Sequence, residues 1–303
     1  MRIIEYAYGD ICPDMPALSA ALGFFDGVHL GHRRLIAEAV KDARRLGLCP
    51  AVITFPSESR SIKSSSGRLY STASRLEIFR SLGIELAVMV DFSSVKELSP
   101  EEYAEVLLGA LNCKRLYLGY NHRFGRGASG NADDLCRLCL GRAECCVMPE
   151  ERFSGGELST TKIKQALARA DLKSASLMLG EEYFLLGRVE RGLGIGKKCG
   201  FPTVNNSLPE GCPLPFGVYK TRVRVLGKLY TGLTNVGECP TFGRREPHAE
   251  TMILDFDSTV YGEEVKISFA EYLRAEMKFS SAKELREQIE KDKRRAKEPS
   301  REE

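Results

Sequence analysis

The sequence predicts an α/β chain of two domains: a parallel sheet with helices on both faces, then a compact antiparallel β-barrel with a terminal helix. Three observations carry this. At 303 residues the chain exceeds the usual size of one hydrophobic core. Up to about residue 180, short apolar runs alternate with amphipathic stretches, as in βαβ units. Beyond that point the chain turns into short strand-like runs punctuated by Gly, Pro and Asn.

In chain order, residues 19–25 read as a strand entering a turn. Residues 32–46 read as a helix with Leu35, Ile36, Ala39, Val40, Ala43 and Leu46 on one face, stopped by Gly47. Residues 51–55 form a short buried strand, 71–82 a helix closed by Gly83, and 84–92 another strand. A helix over 100–111 starts on Ser99 as N-cap with Pro100 at its first position. A strand at 114–119, a helix near 131–141 and a strand near 143–148 complete the series. The barrel strands are expected at 184–190, 217–225, 228–236, 250–256 and 264–269, followed by one helix near 281–292. The domains are set at 1–178 and 179–292, with 293–303 as a charged, frayed tail.

A formal charge of +3 lacks the concentrated basic field of a nucleic-acid binder, so no nucleic-acid partner is expected. The N-terminus does not read as a signal peptide, and no apolar run is long enough for a membrane span. The ten cysteines therefore read as reduced thiols of a cytoplasmic protein. Cys136 and Cys139 form a CxxC near Cys145 and Cys146, but a second well-spaced CxxC is missing, so buried thiols are preferred to zinc.

The strongest chemical signature is Gly23-Phe-Phe25-Asp26-Gly27-Val-His29-Leu-Gly31-His32, which leads directly into a helix. A helix N-terminus offers free N–H groups and a positive dipole end, which suits a polyphosphate. Two of the chain's four histidines in this one loop can donate hydrogen bonds to phosphate oxygens as charge builds there. A second segment, Leu158-Ser159-Thr-Thr161-Lys-Ile-Lys164, opens another helix with hydroxyls and lysines. Gly125-Arg-Gly127-Ala-Ser-Gly130 matches GxGxxG in form, but five residues separate it from its strand, so it reads as a flexible loop.

In the second half, Gly192-Leu-Gly194-Ile-Gly196-Lys197 is not a Walker loop, yet its backbone suits covering phosphates. Thr203 and Asn205 stand two apart, so on an extended segment both oxygens point to one side, where they could hold Mg²⁺ with substrate phosphates. Asn235, Glu250 and Arg274 follow in the segments Thr234-Asn235-Val-Gly237, Glu250-Thr-Met-Ile-Leu-Asp255 and Leu273-Arg274.

The His loop, the 159–164 segment and Leu118-Gly-Tyr-Asn121-His-Arg-Phe-Gly125 resemble the FMN adenylyltransferase domain of bacterial FAD synthetases, a Rossmann-like nucleotidyltransferase fold. The ordered motifs of the second half resemble riboflavin kinase. Together they cover roughly residues 15–292 in the order of the bifunctional enzymes. The resemblance implies that riboflavin is phosphorylated to FMN in the barrel, and FMN adenylylated to FAD in the first domain, each from ATP with Mg²⁺. ADP, pyrophosphate and the flavins complete the ligands; no membrane is involved, and the oligomeric state stays open. It implies catalytic roles for His29, His32 and Glu250. Gly23, Phe25, Asp26, Gly31, Asn121, Ser159, Thr161, Lys164, Gly192, Gly194, Gly196 and Lys197 would bind ATP or its phosphates. Asn235 and Arg274 would bind flavin, and Thr203 and Asn205 the metal. Phe24, Ser57-Glu58 and Lys164 depart from the family pattern. Two other readings follow from the residues: a kinase whose adenylyltransferase domain is weak or inactive, and a flavin-sensing regulatory protein.

Overall fold

The computed structural model describes residues 1–57, 67–153, 156–188, 203–238, 247–256 and 262–298. Glu58, Gly192, Gly194, Gly196 and Lys197 lie outside these residues, and of Thr203 only the backbone is described. The chain divides into two compact units, Met1–Ser65 with Arg75–Ser159, and Ser66–Ser74 with Thr160–Glu303.

The first unit holds six parallel strands: β1 (Arg2–Tyr6), β2 (Leu18–Leu22), β3 (Cys49–Thr54), β4 (Leu86–Val90), β5 (Cys113–Gly119) and β8 (Glu144–Met148), in the order β1-β4-β3-β2-β5-β8. Between β5 and β8 lies a small antiparallel hairpin of β6 (Arg123–Phe124) and β7 (Gly130–Asn131), and after β8 another of β9 (Arg152–Phe153) and β10 (Gly156–Glu157). The Gly125–Gly130 stretch, expected as a flexible loop, is thus the turn of a hairpin, with Gly125 and Gly127 at positive φ. Helix α1 (Leu30–Leu46) buries Leu35, Ile36, Ala39, Val40 and Ala43, and Gly47 ends it in the left-handed conformation. Ser19 of β2 donates its hydroxyl to Ala39 O of α1, while Leu18, Ala20 and Leu22 of the same strand join the core on the other face. Alternate residues of one strand thus serve helices on both faces, as a parallel sheet requires.

Helices α2 (Thr72–Ser81), α3 (Phe92–Val95), α4 (Pro100–Glu105) and α5 (Ala132–Leu138) complete the crossovers. Ser99 caps α4 through a full capping box with Glu102. The helix expected to reach residue 111 instead widens into a π-turn, Val106–Ala110, closed by Leu111 N–H to Val106 O. The wider turn lets three consecutive residues, Val106, Leu107 and Leu108, all be buried, which one face of an α-helix does not allow. Strand β1 escaped the periodicity because it is an edge strand with only Tyr6 buried.

The second unit continues from Thr160 with α6 (Thr160–Ala168), the helix expected to open at the Ser159 segment, and a further helix α7 (Leu172–Leu179). Six strands follow: β11 (Phe184–Arg188), β12 (Thr203–Ser207), β13 (Gly217–Val225), β14 (Lys228–Glu238), β15 (Pro247–Ile253) and β16 (Glu264–Arg274), then α8 (Ala282–Lys297). They form an antiparallel, nearly closed barrel in the order β11-β16-β13-β14-β15-β12. At the seam a Cβ on Gly187 of β11 would overlap the Asn206 carboxamide of β12, so only glycine lets the two end strands meet there. Helix α8 runs past Asp292 through Lys297, and Ala296 is buried in the core, so residues 293–297 of the expected frayed tail are helical.

The barrel interior carries Tyr219 and Phe269 with rings edge to face, and a hydroxyl ladder joins Thr221, Thr234 and Thr251 at 2.9 Å per step. Gly232 faces this packing. A Cβ there would stand 2.5 Å from Thr221 Oγ1 and 2.6 Å from Val223 Cγ2, both on fully buried residues. Gly232→Ala is therefore expected to lower the barrel's stability by about 1–3 kcal/mol, read as a reduced urea midpoint at unchanged slope.

Candidate functional site

Strand β2 pairs with β3 on one side and β5 on the other. From β2 the chain builds the sheet outward through β3 and β4, then returns to add β5 and β8 on the opposite flank. That reversal opens a crevice beyond the carboxyl ends of β2 and β5, where such sheets bind ligands. The His loop follows β2 and Asn121 follows β5, so the fold brings these predicted residues to one crevice.

Within the loop, His29 is the N-cap of α1, and its Nδ1 accepts the His32 backbone N–H at 3.4 Å. Because Nδ1 accepts, a neutral His29 carries its proton on Nε2, free to donate outward. The bond also uses one of the free N–H groups at the helix start and leaves those of Leu30 and Gly31 as the leading donors. The two rings stack with centroids 3.7 Å apart, and His32 meets the Phe25 ring edge-on at 5.2 Å. His32 Nδ1 is buried without a hydrogen-bond partner. Phe25 and Val28 adopt positive φ of 52° and 38°, so the turn carries strain that its surroundings must hold. Gly23 leaves room for the Phe25 ring, which a Cβ would approach to 2.9 Å. Asp26 is buried in the same turn, and Gly31 lies against Glu151 and the His29 ring.

Burial pushes the His29 imidazole down to about 4, and burial beside His29 holds His32 well below the usual range. Both rings are thus neutral donors at physiological pH. The unfolded chain binds these protons at a higher pH than the folded one. Stability is therefore complete above pH 6.5 and falls as the pH drops toward 4. We expect the first unit to lose on the order of 3 kcal/mol across this window through His29 alone. Denaturant titrations of wild type and His29→Asn at several pH values check this, and the variant should show a flatter profile.

Asn121 is exposed after β5, its Oδ1 close to Gly119. The next residue, His122, has Nε2 buried without a partner and is pushed down to about 4 by burial. Ser159 ends the first unit, whereas Thr161 and Lys164 belong to the second. Thr161 is exposed, and Lys164 is buried with its ammonium donating to Gly67 O at 2.8 Å.

In the barrel, strand register aligns the remaining predicted residues. Arg274, Val218, Asn235, Glu250 and Asn205 are successive partners across β16, β13, β14, β15 and β12. Directly paired residues share a face. The neighbouring Leu233 and Met252 on that face pack with Val218 and Leu273 against Ile289 and Ala296 of α8. Glu250 thus stands between two asparagines, Asn205 and Asn235. Asn205 Oδ1 is buried without a hydrogen-bond partner. A hard oxygen donor left unpaired beside a carboxylate fits a divalent cation of the Mg²⁺ class, completed by substrate phosphates. Among the described residues no group of three or more His, Cys, Asp or Glu is placed to hold a metal by itself. Arg274 is used differently from its expected flavin contact: Nε and Nη2 donate to Asp292 of α8 at 3.0 and 2.7 Å, and Nη1 to Ala275 O at 3.0 Å. Its planar fork clamps α8 onto the barrel.

Three residues escaped sequence reasoning. His248 places Nε2 3.4 Å from Glu250 Oε1, a pairing two residues apart on one strand face that the register of β15 reveals. Asp292 reads as a surface charge on a basic helix but is buried under Arg274. Arg75 sits in a helix of mixed composition, yet it is fully buried. The eight described cysteines are free thiols.

A helix start capped by His29 at the reversal point of a parallel sheet, joined in one chain to a barrel face that sets a carboxylate between two asparagines, fits the class of phosphate-transferring enzymes. A family model described as FAD synthetase matches residues 13–162, and one described as riboflavin kinase matches residues 179–299. The bifunctional riboflavin kinase/FMN adenylyltransferase of Bacillus subtilis (strain 168) is 34% identical over 285 residues, covering 91% of this chain and 90% of the relative. That of Listeria monocytogenes is 33% identical over 279 residues, covering 90% and 89%. A solved structure titled as a macrolide-efflux protein from Streptococcus pneumoniae matches with a TM-score of 0.78 at 28% identity, covering 98% of this chain and 99% of that one. No described helix here is long and apolar enough to cross a membrane. The chain belongs to the bifunctional riboflavin kinase/FMN adenylyltransferase family. It is an enzyme of flavin-cofactor biosynthesis, of ATP-dependent families that generally use a divalent metal.

Proposed function

We propose that the chain performs two successive ATP-dependent reactions at two separate sites, riboflavin to FMN on the barrel and FMN to FAD at the His loop. The observation that carries this reading is the convergence of the His29–His32 loop and Asn121 on the reversal crevice of one unit, with Asn205, Glu250 and Asn235 in one row on the other.

At the His loop, the FMN phosphate attacks the α-phosphorus of ATP and pyrophosphate leaves, with no covalent enzyme intermediate. The protein supplies position and charge stabilisation. His29 Nε2–H, His32 and the leading N–H groups of α1 hold the phosphates; Asn121 borders the nucleotide. Gly23, Phe25, Asp26 and Gly31 shape the turn, and Ser159, Thr161 and Lys164 keep the phosphate contacts that the family resemblance implies.

On the barrel, Glu250 accepts the proton of the attacking ribityl hydroxyl. Asn205 and Thr203 would hold Mg²⁺, which when bound neutralises phosphate charge. Asn235, on the other flank of Glu250, faces the flavin, and Arg274 acts through α8. Gly192, Gly194, Gly196 and Lys197 keep their assignment to the ATP phosphates. Free thiols fit a reducing, cytoplasmic setting for both reactions.

The test is to incubate the protein with riboflavin, ATP and Mg²⁺ and separate the flavins by chromatography. FMN followed by FAD is expected. FMN accumulating without FAD would leave a monofunctional kinase, and flavin binding without turnover would leave a regulatory protein.

A further inference from the structure

Arg75, on α2, is the bulkiest fully buried side chain among the described residues, and none of the proposed chemistry uses it. Its guanidinium faces the base of the His loop. Nη1 donates to Phe24 O at 2.6 Å and to Thr54 Oγ1 at 3.1 Å, and Nη2 donates to Phe55 O at 2.5 Å. Thr54 Oγ1 itself donates to Phe24 O at 3.0 Å. The Phe24 carbonyl therefore receives two donors, and the Phe24 ring lies under the guanidinium with its centroid 5.2 Å from Cζ. One planar fork thus ties the turn after β2 to the turn after β3.

The place of this anchor matters. Phe24 immediately precedes Phe25, whose positive φ begins the strained turn that ends at Val28, one residue before the His29 N-cap. Phe25 is also the ring that holds His32 edge-on. A non-glycine turn of this kind persists only where its neighbours over-determine it. The Arg75 guanidinium, bonded to Phe24 O, Thr54 Oγ1 and Phe55 O, supplies part of that over-determination.

We infer that Arg75 is a positioning residue for adenylyl transfer: by clamping the Phe24 and Phe55 carbonyls it sets the His29 and His32 rings against the helix start where the phosphates bind. Arg75 acts through the loop and touches no substrate. A planar fork is required because the acceptors lie in different directions; the single ammonium of Lys can reach only part of them. The phenylalanine at position 24, which departs from the family pattern, then has a local role as the face on which the guanidinium rests.

The inference rests on the assignment of adenylyl transfer to this loop, so its test uses two readouts. The first is proton NMR titration of the imidazoles, tractable in a chain with four histidines. In wild type burial pushes His29 down to about 4; in Arg75→Gln the loosened loop should expose both rings and move their midpoints upward toward 6.5. The second is steady-state FAD formation from supplied FMN. Arg75→Gln should lower kcat roughly tenfold to a hundredfold while the KM for ATP moves less than about threefold. Arg75→Lys should fall between Gln and wild type in both readouts. Unchanged imidazole midpoints together with unchanged kcat in either folded variant would overturn the inference. Should Arg75→Gln fail to fold, Arg75→Lys decides alone. A wild type that makes no FAD would defeat the functional reading instead, and the titration would still report whether Arg75 holds the loop.

Discussion

Glu250→Ala is expected to abolish FMN formation from riboflavin, by about 10²–10⁴-fold in kcat, while FAD formation from supplied FMN continues at the wild-type rate. Glu250 is paired in register with Asn205 on one side and Asn235 on the other, so its carboxylate lies between the proposed metal donor and the proposed flavin contact. Neighbouring strands are about 4.8 Å apart, which sets the two asparagines roughly 10 Å from each other with the base at the midpoint. A phosphoryl acceptor held on one flank and phosphates on the other would meet at that carboxylate. Glu250→Gln separates the roles: it keeps the shape and a carbonyl oxygen but accepts a proton poorly, so it should be almost as slow as Ala while binding riboflavin normally. A Glu250→Gln variant that retained more than a tenth of wild-type kcat would remove Glu250 as the base. Supplying FMN is the internal control, because a merely misfolded chain would lose both reactions.

How far the sequence could lead is seen in particular residues. The parallel sheet was legible from local signals: Ser99-Pro100 starts a helix, Gly47 stops one, and the apolar run read as a strand over 19–25 contains most of β2, Leu18–Leu22. The edge strand β1 and helix α7 were not legible. Strand β1 is mostly exposed, and α7 follows α6 with only three residues between them. The His loop could be read because its chemistry is contiguous in the chain. Arg75 could not, since its partners Phe24, Thr54 and Phe55 are 20 to 51 residues away, and a buried arginine has no local signature. The same holds for Asp292, whose place beneath Arg274 depends on α8 folding back over the barrel. In the barrel, Asn205, Asn235 and Glu250 could be named one by one, but their alignment in one row is a property of register. Register follows from pairing across β12, β15 and β14, and no single segment carries it.

His32→Ala should abolish FAD formation, with kcat down at least about 10²-fold, and leave FMN formation intact. His32 contributes in two ways that the structure separates. Its ring is stacked on His29 at 3.7 Å and wedged edge-on against Phe25, so removing it leaves a void beneath the His29 ring. Its buried Nδ1 has no hydrogen-bond partner within the protein, and an unpaired buried polar atom carries a cost. A bound polyphosphate could relieve that cost, while Ala has nothing to relieve. His32→Phe distinguishes the two contributions. It restores the ring and its packing without the nitrogen atoms, so it should recover stability lost in His32→Ala but none of the FAD-forming rate. His32→Asn, which keeps an N–H donor in less space, should regain part of the rate. If His32→Phe made FAD as fast as wild type, the ring would serve only to fill space, and the phosphate would have to be held by His29 Nε2 and the backbone N–H groups of Leu30 and Gly31 alone. The neutral state of both rings sharpens the expectation further. Burial keeps them unprotonated far below neutral pH, so FAD formation should not fall as the pH rises through 6.5. A wild-type rate that declined with an apparent midpoint near 6.5 would instead mean that catalysis uses an imidazolium.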